Sequence, residues 1–99
     1  MDLLTVFKAL SNETRLNILL WLKSPEAHFD TVSSDDGKPG VCVGLIEKKA
    51  GVSQSTTSHY LSLLQRAGLV VAERRGQWTY YRRDEIGIAG LKAELDIIL

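Results

Sequence analysis

The run Gln54-Ser55-Thr56-Thr57-Ser58-His59 sets polar, hydrogen-bonding side chains one after another. The carboxamide of Gln54 can pair with adenine, the hydroxyls of Ser55, Thr57 and Ser58 can reach bases or phosphates, and His59 can donate to guanine or to a phosphate. At the start of a helix, the positive end of the dipole would lie at Ser53 to Ser55, with backbone N–H groups poised for a phosphate. Arg74 and Arg75, beside Gly76 and Gln77, form a second polar set, suited to sugar-phosphate or to the negative potential of a minor groove. Each feature also has an ordinary counterpart, since Ser and Thr commonly cap helices and a basic turn is commonly just solvated. Catalysis lacks its ingredients: His28 and His59 are the only histidines, and no Ser-His-Asp, Cys-His or paired-carboxylate arrangement has supporting context. The expectation is a protein that is not an enzyme and needs no cofactor.

These groups need elements to aim them. Ser53 is the natural N-cap of a helix whose inward stripe is Tyr60, Leu61, Leu64 and Ala67, closed by Gly68. Residues 41–50 start apolar, turn charged and stop at Gly51, which predicts a short helix before it. Two helices joined by the tight Gly51-Val52-Ser53 turn make a helix-turn-helix. Beyond Gly68 the apolar period becomes extended, and Leu69–Arg74 and Trp78–Arg82 flank Arg75-Gly76-Gln77, the pattern of a hairpin with a basic tip. Upstream, Leu3, Val6, Phe7 and Leu10 predict a first helix. Ser11 or Asn12 caps a second, with Leu16, Leu19, Leu20 and Trp21 or Leu22 inward, ending before Pro25. In the tail, 84–99, Ile86, Leu91, Leu95 and Ile98 share a helical face interrupted by Gly87 and Gly90. The whole predicts one domain over residues 1–99, mainly α with a β-hairpin wing: a winged helix-turn-helix.

Ninety-nine residues with 44% apolar and 24% charged content suit one globular core. A domain this small leaves much apolar surface uncovered, which favours pairing with a second copy. No stretch approaches a membrane span and the start lacks a signal peptide's basic and apolar run, so a cytoplasmic protein is expected. The formal charge is zero, but residues 41–83 hold seven basic side chains against two acidic ones, a distribution that favours phosphate. The segment from Ser24 to Gly40 carries prolines, glycines and acids without apolar periodicity. It reads as a long loop that either just connects helices or shapes an effector pocket beside the reading helix. Cys42, the single cysteine, excludes an internal disulfide. Next to Val41 and Val43 it is either a small core residue or, close to a helix N-terminus, a thiol switch.

The segments Phe7-Lys8-Ala9-Leu10-Ser11-Asn12-Glu13-Thr14-Arg15-Leu16, Ser53–Leu61 followed by Leu64–Val70, and Arg74–Tyr81 resemble the ArsR/SmtB family of bacterial winged-helix repressors over nearly the whole chain apart from the acidic loop. The resemblance implies a homodimer held by the terminal helices, 1–10 and 84–99, a palindromic double-stranded operator, and repression relieved by a small inducer. It does not supply the inducer. Where arsenic sensors of the family carry Cys-Val-Cys, this chain has Cys42-Val43-Gly44. The family's other metal site uses histidines on the last helix, and residues 84–99 contain none, leaving carboxylates that hold borderline metals poorly. No metal site is therefore expected. A winged helix can also dock protein through the same exposed helix, and that alternative stays open at this point.

Overall fold

The computed structural model of the chain describes residues 1–30 and 38–99. The middle of the expected 24–40 loop, including Ser33, Ser34, Asp35 and Asp36, lies outside the described residues.

Among the described residues, five α-helices and three strands follow one another as α1 (Leu3–Leu10), α2 (Glu13–Lys23), β1 (Val41–Cys42), α3 (Val43–Ala50), α4 (Gln54–Arg66), β2 (Val70–Arg75), β3 (Trp78–Arg83) and α5 (Glu85–Ile98). Local chemistry sets the helix starts. Asp2 accepts from the Leu4 amide at 3.2 Å, Asn12 from Arg15 at 3.0 Å, Ser53 from Thr56 at 3.1 Å and Asp84 from Gly87 at 2.9 Å. Each satisfies an amide that a helix start leaves unpaired. Gly51, at φ +69°, ends α3 in the left-handed region, and α4 starts after Val52 and Ser53. That short connection makes α3 and α4 the helix-turn-helix.

The wing is larger than a hairpin. β2 and β3 pair antiparallel from Val70↔Arg83 to Arg75↔Trp78, and β1 adds a third strand through Val41↔Tyr81 and Cys42↔Tyr80. The helix expected over 41–50 therefore begins only at Val43. The β-branched Val41 and its neighbour satisfy part of the otherwise open edge of β3 before the chain turns helical. The loop is also less bare than its composition suggests: Pro25–Ala27 form a 3-10 turn, and Phe29 is buried edge-on to Trp21.

Val6, Ile18, Ile46, Leu61, Leu64 and Leu69 are fully buried at the centre, joined by Val41 of β1 and Val70 of β2. Burying each such side chain contributes about 1.5–3 kcal/mol. Two expected faces are borne out only in part, with Leu22 and Leu91 buried and Leu19 and Leu95 packed against the core. In α2 the buried residues are Ile18 and Leu22, while Leu16 and Leu20 are exposed. In α5 they are Ile88 and Leu91, while Ile86 and Ile98 are exposed. Both helices are apolar around most of their circumference, so periodicity does not single out the inward side. Gly87 fixes the seating of α5: a Cβ there would overlap the carbonyl oxygen of Gly68 at the exit of α4. The last helix can cross that corner only because residue 87 has no side chain.

Candidate nucleic-acid interface

Thr57, Leu61 and Leu64 anchor α4, all three with no exposed surface. Gln54, Ser55, Ser58 and His59 are exposed on the remaining circumference, where spacings of three and four residues gather them into one face. Ser53 holds the start of the helix: its hydroxyl donates to Thr56 Oγ1 at 2.9 Å and lies 3.2 Å from Ser55 Oγ.

Thr57 departs from expectation. Its hydroxyl donates to the Ser53 carbonyl at 2.9 Å, and the side chain is wholly buried. It belongs to the inward stripe, one turn before Leu61, and cannot reach a base edge. The stripe itself carried the signal, since stepping back four residues from Leu61 lands on Thr57.

Arg74 and Arg75 also part company. Successive residues of a strand point to opposite faces. Arg74 is exposed and folds across the tip, donating through Nε to the Gly76 carbonyl at 2.9 Å and through Nη1 to Thr79 at 3.4 Å. Arg75 pairs with Glu73 at 3.1 Å, donates to the Pro39 carbonyl and stacks 4.5 Å from the centroid of Tyr80, leaving its side chain 10% exposed. Its guanidinium holds the Glu73 carboxyl below the usual carboxylate range. The expected DNA contact by Arg75 is corrected on these grounds: the side chain ties the wing to the end of the loop. Gln77 is exposed in the turn, and beside it the half-exposed indole of Trp78 joins the tip, a residue read from the sequence only as a strand former.

The basic segment does not make one uniform face. Lys48, Lys49, Arg74 and Arg82 are exposed, and Lys49 sits 5.2 Å over the Trp21 ring. Arg83 is matched by Glu85 at 3.0 Å, and Arg66 lies at the far end of α4 beside Met1 and Asp2. Arg15 links the terminal and reading helices: it donates to the carbonyls of Ala9 at 2.8 Å and Lys8 at 3.2 Å, and rests 5.1 Å from the Tyr60 centroid.

Cys42 is the N-cap residue of α3, partly buried, opposite Tyr80 in the sheet. Among the described residues, no three His, Cys, Asp or Glu side chains group as metal ligands would, and no helix is long and apolar enough to cross a membrane.

A family profile described as "Bacterial regulatory protein, arsR family" matches residues 38–71, from the end of the loop through both helices of the turn to the start of β2. The chain is 53% identical over 92 residues to the HTH-type transcriptional regulator YbzH of Bacillus subtilis, covering 92% of each protein. It is 32% identical over 88 residues to the arsenical resistance operon repressor of the same species, covering 89% of this chain and 71% of the relative. Among solved structures, it is similar to a homodimeric winged helix-turn-helix DNA-binding domain from Mycobacterium bovis, described as "a possible ArsR-family transcriptional regulator". That match has 30% identity and a TM-score of 0.66, covering 97% of this chain and 76% of the other.

Proposed function

Because the chain belongs to the ArsR family of bacterial transcriptional regulators, we propose that it works as a homodimeric repressor whose two α4 helices enter successive major grooves of a palindromic operator. The observation that carries this reading is the division of α4: Thr57, Leu61 and Leu64 wholly buried, Gln54, Ser55, Ser58 and His59 presented outward. A helix so anchored can approach base edges without disturbing its own core. The wing supplies Arg74 and Gln77 for the backbone or the adjacent minor groove.

Dimerisation follows from what the fold leaves uncovered. Leu4 and Phe7 on α1, and Ile86, Ile97, Ile98 and Leu99 in and just beyond α5, are all 45–95% exposed. Ile86, Gly90, Ala93 and Ile97 stand one above another on an outward stripe of α5. Apolar area of this extent on terminal helices is best satisfied by a second copy. Two such copies hold the reading helices about one turn of DNA apart. Occupying a promoter in this way blocks transcription, and a small inducer that disfavours the binding geometry restores it.

Fluorescence anisotropy with the chain's own upstream promoter and a scrambled duplex, at two salt concentrations, tests the reading. The expected result is tighter, salt-sensitive binding to the promoter. Equal weak binding to both duplexes would replace it with a protein-docking role for the same helix.

A further inference from the structure

Three helices meet at Arg15. Its backbone amide is held by the Asn12 side chain at 3.0 Å, in the first turn of α2. Its guanidinium reaches back to the end of α1, where Nε donates to the Ala9 carbonyl at 2.8 Å and Nη2 to the Lys8 carbonyl at 3.2 Å. Both carbonyls belong to the last turn, which a helix leaves short of partners. The guanidinium carbon lies 5.1 Å from the ring centroid of Tyr60 on α4, within the range of a cation–π contact. No carboxylate among the described residues pairs with Arg15, so its charge is met by peptide dipoles of one helix and an aromatic face of another.

Close packing is incomplete along the seam between α1 and α4. A cleft of about 260 Å3 opens there, lined by Thr5, Lys8 and Ala9 of α1, Arg15 of α2, and Leu63 and Arg66 of α4. Interlocked side chains would fix the helix crossing by themselves, and a seam with this gap leaves part of that task to the Arg15 contact. Tyr60 is the chain neighbour of His59 and precedes Leu63 by three residues on the same flank of α4. Gln54 lies about 9 Å along the helix axis from Tyr60. A tilt of about 10° at Tyr60 would therefore move Gln54 by roughly 1.5 Å, enough to break a hydrogen bond to a base edge. A single subunit can follow such a tilt by shifting on its half-site, but two subunits held to one palindrome cannot.

We propose that Arg15 is a positioning residue for operator recognition, which through the Tyr60 ring clamps the reading helix α4 to the end of α1. This deepens the function proposed above and rests on it. The outer face of α1, with Leu4 and Phe7 exposed, belongs to the surface assigned to dimerisation, so the clamp makes the separation of the two reading helices a property of the dimer. Arginine suits the task because its in-plane N–H groups reach two carbonyls while its flat face stays against a ring, whereas the ammonium of lysine is a point charge on a flexible stem. The ordinary role of a basic side chain at this place is to satisfy the end of α1 and nothing more, and it predicts a different outcome.

The test compares the promoter duplex with its two separate halves by anisotropy, at a temperature where circular dichroism shows each variant folded. Arg15→Met, Arg15→Lys and Tyr60→Leu should each weaken binding to the full duplex about tenfold and change the Kd for a half by less than about twofold, since the half-sites lose their rigid linkage. Tyr60→Phe, which keeps an aromatic face, should behave as the parent chain. If Arg15 only caps α1, its variants melt earlier but keep the parent ratio of full to half affinity. That unchanged ratio, or a Tyr60→Leu variant equal to Tyr60→Phe, overturns the proposal. Should the Arg15 variants fail to fold, the two Tyr60 variants decide it by the same comparison. A parent chain that binds no duplex, or binds whole and halves alike, counts against the proposed function instead. The 15N amide spectrum of the free protein then decides the clamp: Arg15→Met should shift Gln54, Ser55 and Ser58, and shifts confined to residues 8–16 overturn it.

Discussion

Thr57 and Ser58 are adjacent and chemically alike, yet one is wholly buried and the other exposed. Trimming an inward side chain of α4 and an outward one therefore has different consequences. Thr57→Val deletes a buried hydrogen bond while keeping the volume, and should lower stability by about 0.5–1.5 kcal/mol with little change in DNA affinity. Gln54→Ala should leave the denaturation midpoint unchanged and weaken promoter binding by about 1–3 kcal/mol. Paired denaturation and anisotropy curves check both, and a stable Thr57→Val protein that no longer binds DNA would reverse the assignment. The two arginines make a similar contrast. Arg74→Ala should reduce the slope of log affinity against log salt by about one unit. Arg75→Ala should destabilise the wing and leave that slope in place, since its charge is spent on Glu73 and Pro39. The sequence made Gln54, Ser55, Ser58, His59, Arg74 and Gln77 visible as outward polar groups. Residue type alone did not separate Thr57 or Arg75 from them; the signal lay in spacing, four residues back from Leu61 for Thr57 and strand alternation for Arg75.

At the scale of the element, the helix-turn-helix and the basic hairpin were legible from caps, glycines and the change of period at Gly68. β1 was not, because a two-residue strand is too short to show alternation and exists only through its pairing with Tyr80 and Tyr81. The faces of α2 and α5 were legible only in part, at Leu19, Leu22, Leu91 and Leu95, since apolar residues occur on several sides of each. Gly87, which interrupts the helical pattern, turns out to be a requirement of packing. Gly87→Ala should be net destabilising by about 1–2 kcal/mol, the overlap with the Gly68 carbonyl outweighing the helix preference for alanine. Gly44→Ala, in α3 with nothing within 4 Å of the added carbon, should stabilise by about 0.5–1 kcal/mol. Thermal unfolding of the two variants should thus shift in opposite directions. The start of α1 responds to acid. The hydrogen bond from Thr5 at 2.6 Å, helped by the Leu4 amide, holds the Asp2 carboxyl below its ordinary range. Its contribution is thus fully present above the unfolded aspartate pKa and is lost as pH falls through the folded value. Asp2→Asn, which still caps, should remove this part of the acid dependence of helicity measured by circular dichroism.

For the whole molecule, the decisive surface is the apolar one left by α1 and α5. Replacing Phe7 and Ile97 together by glutamate places charge on helices that are 45% and 83% exposed at those positions, so the monomer should still fold. Sedimentation should then report a single chain, and operator affinity should drop at least about a hundredfold as the two half-sites lose their linkage. A double variant that remains dimeric would move the interface elsewhere. The two tryptophans have a consequence of another kind. Trp21 packs edge-on against Phe29 beneath Lys49, whereas Trp78 stands 52% exposed at the tip of the wing. The chain therefore contains its own optical gauge: the emission of Trp78 should be red-shifted and open to iodide quenching, that of Trp21 largely shielded. With Trp21→Phe isolating the outer indole, the approach of a duplex to the wing becomes visible as lost quenching, without a dye on either molecule.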